Sequence, residues 1–336
     1  MKTTGAAFLR LSTLVASVAL LTSRVMLLLH EFAGHAAPAM LFGGRVTGWY
    51  LFLFAGGRVS YRLGHLDDNR RLVVSLGGIA LELVIGAAAF ALARASATRD
   101  RGAAAFCQRA VGTVLVAHAA MYLARGVHYG FGDGALLAQR LGGARVVVVV
   151  AASALAAGVA LAGGTLLARF AASFFAGTTR RVASIILLVF ACASLVHGVL
   201  SFSEVRFFSD PTWVRVMEDA SVVAARDEVA RQVAEAKRRG EATPSPEEQA
   251  RIMEALERAR RPWPLNPVLV LAVVAGLIAG VVRGTRQRRA IDAAGEQASA
   301  VTPLPGWRFV GGVVTALAMV ICVIAAVREL GASLPP

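Results

Sequence analysis

The sequence predicts an all-α polytopic membrane protein of about seven transmembrane helices, with a short β-hairpin or sheet insertion and a soluble helical hairpin. Three observations predict it. Of 336 residues, 57% are hydrophobic and only 17% charged, and the mean hydropathy is +0.63, too apolar a balance for a water-soluble domain of this size. The apolar residues fall into runs close to the ~20 residues that a helix needs to cross the hydrocarbon core of a bilayer. The charges gather between those runs, and two of the connecting regions have a chemistry of their own.

The first run occupies residues 7–29 and continues as helix to about 42. Its opening, MKTTGAAFLRLSTLVASVALL, has the outline of a secretory leader, but the apolar stretch passes through residue 29 without a stop. A retained span is therefore expected. Residues 43–62, GGRVTGWYLFLFAGGRVSYR, combine aromatic and β-branched residues with two Gly-Gly pairs, which is hairpin or short-sheet chemistry. Spans follow at 72–95 and 103–125, the latter carrying Gln108 and Arg109 near its start, then at 146–168, 182–203, 266–283 and 307–327.

Residues 204–265 carry acids and bases in nearly equal number. Within them, SPEEQARIMEALERARR begins with Ser245 as N-cap, Pro246 at the first helical position and Glu248 closing a capping box. Ile252, Met253, Leu256 and Ala259 share one apolar stripe. A helical hairpin of about 212–239 and 246–261 is expected outside the membrane, either packing on itself or offering a partner a docking surface. The chain thus divides into a membrane core, 1–203, the extramembrane hairpin, 204–265, and two further spans within 266–336.

A net charge of +14 would suggest nucleic acid in a soluble protein. Here the arginines lie in loops flanking apolar runs, where anionic headgroups attract them, and no basic-aromatic interleaving marks a nucleic-acid surface. Arginine loads both faces, so the positive-inside bias is weak; it leans toward the face holding 43–71, 126–145 and 204–265 being cytoplasmic. A multi-pass location in a bacterial inner or plasma membrane is expected. Cys107, Cys192 and Cys322 all lie in apolar runs without a C-x-x-C pairing and read as small buried hydrophobes.

Ionisable residues at bilayer depth are costly, so each is a candidate for function. They are Arg24, His30, Glu31, His35, Glu82, His118 and His197, joined at a loop edge by His128 and Asp133 in HYGFGDGALL. Three of them crowd into LLLHEFAGHAAPAM, residues 27–40. In the zinc signature H-E-x-x-H the two histidines stand four apart, about 40° around a helix, and both imidazoles reach one ion. His30 and His35 stand five apart, about 140° on a straight α-helix, which separates them. A π-bulge at Gly34 adds one residue to the turn and returns position i+5 over position i.

The spelling HEFAGH resembles the H-E-x-x-G-H motif of the dipeptidyl peptidase III enzymes, soluble zinc peptidases with the same extra residue. A wider resemblance runs over about residues 8–140. A first span ends in a His/Glu cluster followed by small residues and a Gly-Gly turn (HAAPAMLFGGRV). A Gly-rich β-like segment, a span entered through Gly-Gly (SLGGIALELV) and an Asp-Gly (FGDGALL) come after it. This order resembles the site-2 protease family of intramembrane metalloproteases. The resemblance implies an integral-membrane zinc endopeptidase in which His30, His35 and Asp133 hold Zn²⁺ and Glu31 is the general base. The chain departs from the family at the lengthened histidine motif, at Glu82 where the family tends to have Asn, and at HYGFG in place of a proline-rich approach to the aspartate.

Topology is consistent with that grouping, because the first and third spans end on the same face and bring Asp133 to the side of the histidines. Glu82 and His128 remain alternatives for the third ligand, Glu82 also as an outer partner orienting an imidazole. His118 and His197 read as bundle-interior hydrogen bonders, His65 as a surface loop residue, and Arg24 as a partner for a membrane acid such as Glu82. The implied partners are the bilayer and a transmembrane or membrane-associated protein substrate, unwound and held by strand addition along residues 45–60. Two rival readings share these residues: an inactive homologue acting as a membrane binding or regulatory protein, and a transporter with a buried proton relay. No inverted repeat favours the latter.

Overall fold

A computed structural model describes residues 2–64, 67–97, 102–175, 177–208, 220–240, 245–259, 265–293 and 304–332. The side chains of 2–4, 96–97, 220–228, 254–259 and 332 are not among the described parts, and neither is His65. Among the described residues, seven helices are long and apolar enough to cross a membrane, and the only sheet has two strands. The all-α polytopic class follows.

The first span is α1 (Lys2–Leu28), continued by a π-helical segment, Leu29–Ala36, and a short α2 (Ala37–Leu41). Strands β1 (Arg45–Leu51) and β2 (Gly57–Arg62) then form the expected antiparallel hairpin. Its register runs from Arg45↔Arg62 through Trp49↔Val59 to Leu51↔Gly57, with a bulge between Val46 and Gly48. Spans α3 (Asp68–Ala97) and α4 (Gly102–Tyr129) follow; α4 runs unbroken past Gln108 and Arg109. A 3₁₀ turn (Gly132–Gly134) and the short α5 (Ala135–Leu141) lead into α6 (Arg145–Ala171) and α7 (Thr179–Ser203), which ends in a π turn, Glu204–Phe208.

Outside the spans, α8 (Ala220–Arg238) pairs with α9 (Pro246–Ala259). The capping box is formed as read: the Ser245 N–H donates to Glu248 Oε2 at 2.8 Å, and the Glu248 N–H to Ser245 Oγ at 3.3 Å. Arg239 adds bonds to both Glu248 oxygens at 2.8 and 2.6 Å. The expected segments 212–219 and 260–261, and the side chains of Leu256 and Ala259 in the apolar stripe, lie outside the described residues.

The bundle closes with α10 (Leu265–Ala293) and α11 (Trp307–Ala332). Between helices in lipid, hydrophobicity gives no drive to associate, so close backbone contact does the work. On α10, Gly276, Gly280 and Gly284 form a stripe at four-residue intervals against Ala157, Leu161 and Thr165 of α6. A larger cluster, including Leu11, Leu14, Phe106, Val182 and Ile186, ties α1, α4 and α7 together. The candidate ligands sit near the opposite ends of α1 and α4.

Candidate metal centre

The π segment brings the two histidines together. The Ala37 N–H donates to Phe32 O, five residues back, so one extra residue is taken up within the turn. His30 and His35, which a straight helix would splay, have ring centroids 4.9 Å apart. Gly34 allows more than the bulge. A Cβ there would lie 2.5 Å from Gly78 Cα, and one on Gly77 would strike the Gly34 carbonyl. The glycine pair of SLGGIALELV therefore lets α3 touch the π turn backbone to backbone.

That crossing lays one face of α3 along the histidines at four-residue intervals. Val74 O accepts from His35 Nδ1 at 2.7 Å, Gly78 lies against the His30 ring, and Glu82 Oε1 accepts from His30 Nδ1 at 2.8 Å. Glu82 spends its second oxygen on His118 Nδ1 at 2.7 Å. A carbonyl can only accept, and so can an ionised carboxylate. In the neutral imidazoles the hydrogens of His30 and His35 are thus placed on Nδ1, and both Nε2 lone pairs are left for a metal.

Asp133 is delivered from α4 by a turn built on glycines. Gly130 and Gly132 take positive φ, 71° and 53°, and the Gly126 carbonyl accepts from the Gly130 and Phe131 amides at 2.9 and 3.1 Å. Gly134 packs so closely on the backbone of Gly126 and Val127 that a Cβ would lie 2.5 Å from Val127 N. The Asp133 carbonyl accepts from Ser75 Oγ at 2.9 Å, and its amide meets the Tyr122 hydroxyl.

Asp133 Oδ2 then lies 3.1 Å from His30 Nε2 and 3.2 Å from His35 Nε2. That oxygen is buried and makes no hydrogen bond of acceptable geometry. Three lone pairs facing one another repel until a cation sits among them, and two imidazoles with a carboxylate suit a metal. His30, His35 and Asp133, all ligand atoms within 4.8 Å of one another, could hold a metal ion.

Glu31 stands beside this group, 7% exposed, and its Oε2 accepts from the Val59 N–H of β2 at 2.9 Å. The outer edge of the hairpin therefore faces the site. Tyr61 of the same strand is close enough that, beyond its burial, the charges of Asp133 and Glu31 push its phenol pKa up. Tyr122, which belongs to no motif in the sequence, packs 6.0 Å from both His30 and His118, ring to ring. Its spacing of four from His118, one face of one helix, is the signal that could have found it.

The remaining polar residues divide clearly. Of the alternatives for the third ligand, Glu82 is an outer partner of His30, and His128 packs edge-on against Tyr129 at 4.7 Å, outside the ligand group. His118 bonds Glu82, yet its side chain is 61% exposed, so it is not interior as expected. His197 bonds the Phe54 backbone. Arg24 does not pair with Glu82: its Nη1 donates to the Phe52 and Ala55 carbonyls at 3.3 and 2.6 Å and its Nη2 to Ser23 Oγ at 2.8 Å. The hairpin turn leaves carbonyls that need a donor, and Arg24 lies beneath it.

Comparison of the chain with protein-family models, with curated proteins and with solved structures finds no match.

Proposed function

We propose that the protein is an intramembrane zinc metalloendopeptidase of the kind the site-2 protease resemblance implies, cleaving peptide bonds of membrane-embedded substrates. One observation carries the reading: the π turn aims two Nδ1-anchored imidazoles at the buried oxygen of Asp133, with Glu31 next to them. The donor set of two histidines and a carboxylate, plus a neighbouring acid, is that of a hydrolytic zinc site with an open position. Zinc there would supply a Lewis acid for the scissile carbonyl and for a water molecule.

Each residue then has a task. Glu82 and the Val74 carbonyl orient the two rings and hold a hydrogen on each Nδ1, so that the neutral imidazoles offer Nε2 to the metal. Glu31 takes one proton from the water whose oxygen attacks the peptide carbon, and gives it to the amide nitrogen as the C–N bond breaks. Val59 holds one oxygen of that carboxylate and leaves the other to accept the proton. A substrate helix hides its peptide bonds and must be extended first; the outer edge of β2, running past Glu31, suits the added strand.

The test uses the full-length protein and a fluorogenic single-span peptide in phosphatidylcholine vesicles. Close to one zinc per chain is expected, with Glu31→Gln abolishing cleavage while the metal stays bound. Metal-free protein supports the inactive-homologue reading instead. Iron in place of zinc moves the site to a different chemistry, since two histidines and a carboxylate also suit ferrous oxygenases. Undiminished activity of Glu31→Gln rules out the mechanism.

A further inference from the structure

The tip of the hairpin is gripped by residues from far along the chain. Leu53, Phe54 and Ala55 turn their backbone N–H groups onto one carboxylate, Glu204, at 2.5, 2.6 and 3.1 Å. The carbonyls are taken as well: those of Phe52 and Ala55 by Arg24, and that of Phe54 by Ser201 Oγ at 2.6 Å. Arg328 lies 3.7 Å from Glu204. Irregular backbone among apolar helices must find its partners within the protein, which accounts for a carboxylate only 6% exposed. It does not account for the turn being there, since one left at the aqueous surface would need no such partner.

β2 leads from this tip to the candidate site. Ala55 precedes by four residues Val59, whose amide holds Glu31. Between them the strand is pinned to β1 through Leu51↔Gly57 and Tyr50↔Arg58. β1 is anchored in turn by Trp49 Nε1, which donates to Val327 O at 2.8 Å. The hairpin is therefore held at its tip by the end of α7 and along its first strand by the end of α11. Both lie beyond residues 8–140, which carry the family resemblance.

We infer that Glu204 is a positioning residue for Glu31: by gripping the hairpin tip it keeps, through β2, the Val59 amide on the carboxylate that moves the proton. The inference rests on the proposed hydrolysis, which alone gives Glu31 a proton to move. A carboxylate tethered at one oxygen presents the other in a set direction, and a displacement of about 1 Å in such a group costs on the order of 100-fold in rate. Metal binding is independent of the grip, because His30, His35 and Asp133 are placed by the π turn, α3 and the 130–134 turn.

The experiment compares the full-length wild type with Glu204→Gln, which keeps the shape but loses the charge and one acceptor oxygen. Zinc content, kcat and KM on the vesicle-borne peptide, and amide hydrogen exchange are read together. Zinc should be unchanged, kcat should fall about tenfold or more, and KM should stay within about twofold. Exchange should quicken both at 53–55 and around Val59. Quicker exchange at the tip alone, with kcat at the wild-type value, overturns the inference. Ser201→Ala leaves the carboxylate in place and should move the same quantities less far; if Glu204→Gln does not fold, this variant decides by the same criteria. An inert, metal-free wild type is a separate result that overturns the hydrolytic reading and the inference with it. An active wild type whose Val59 amide ignores the tip overturns the inference alone.

Discussion

Replacing Gly78 by alanine tests the geometry with one methyl group. A Cβ at Gly78 would lie 2.5 Å from Cε1 and Nε2 of His30 and 2.7 Å from its Cδ2. Carbon atoms rest at about 3.5–4.0 Å, so the overlap is about 1 Å. One relief is for α3 to move away from the π turn. Gly34, Gly77 and Gly78 are in backbone contact there, so this loosens the whole crossing, at the roughly 1–3 kcal/mol typical of overpacking. The other relief is for the ring to shift by about 1 Å, which strains the 2.8 Å bond from Nδ1 to Glu82 and takes Nε2 off its target. Metal–ligand distances tolerate only about 0.2 Å, so either route should weaken zinc binding by about 100-fold or more. Zinc retained against a competing chelator and the unfolding temperature are the measurements. Gly198→Ala is the control, since a Cβ there meets nothing within 4 Å, and it should leave zinc untouched. A Gly78→Ala protein with wild-type zinc affinity and unfolding temperature would show that His30 does not depend on this close approach.

Glu82→Ala should lower zinc affinity about 10–100-fold by releasing the His30 ring while leaving all three ligands in place; an unchanged chelator titration would contradict the orienting role. Gly134→Ala should displace Asp133, because its Cβ cannot fit against Gly126 and Val127. Zinc loss comparable to that of Asp133→Ala is expected, and full retention would show that the turn is not what places the ligand. Outside the candidate spans, the hydrogen bonds from Arg239 and Ser245 hold the Glu248 carboxyl at about 2, below its usual 4.5. A folded value lower than the unfolded one means that the capping carboxylate stabilises the α8–α9 pair above about pH 4.5. That contribution is lost as pH falls from there through about 2. An NMR titration of Glu248 in the full-length protein checks this, and a midpoint at 4.5 would contradict it.

Much of this structure is legible in the chain because its signals are local. Apolar run length specifies the spans, and Ser245, Pro246 and Glu248 specify a helix start within four residues. If His30 and His35 are to meet one ion, their spacing requires a swollen turn, and Gly34 marks where it can occur. The Gly-Gly of α3 was legible as an entry to a span but not as the surface that meets the π turn, since that depends on how two helices cross. The roles of Glu82 and Arg24 show the same limit. Both are polar residues in apolar helices, and hydropathy states only that each needs a partner. Glu82 found His30 and His118, and Arg24 found the carbonyls of a turn about 30 residues away in sequence.

The chain alone left the third ligand open among Asp133, Glu82 and His128, but it carried the seven spans, the hairpin, the helical pair between α7 and α10 and the grouping of His30, Glu31 and His35. These follow from composition and from spacing along one helix or turn. Packing across the bundle supplied the rest: Asp133 meets the histidines, Val74 and Glu82 face their Nδ1 atoms, and Glu204 grips the hairpin. Those contacts join residues up to about 150 positions apart and turn on the rotation and crossing of packed helices. Close approach of glycine backbones sets that geometry, and it leaves no periodic trace in the sequence.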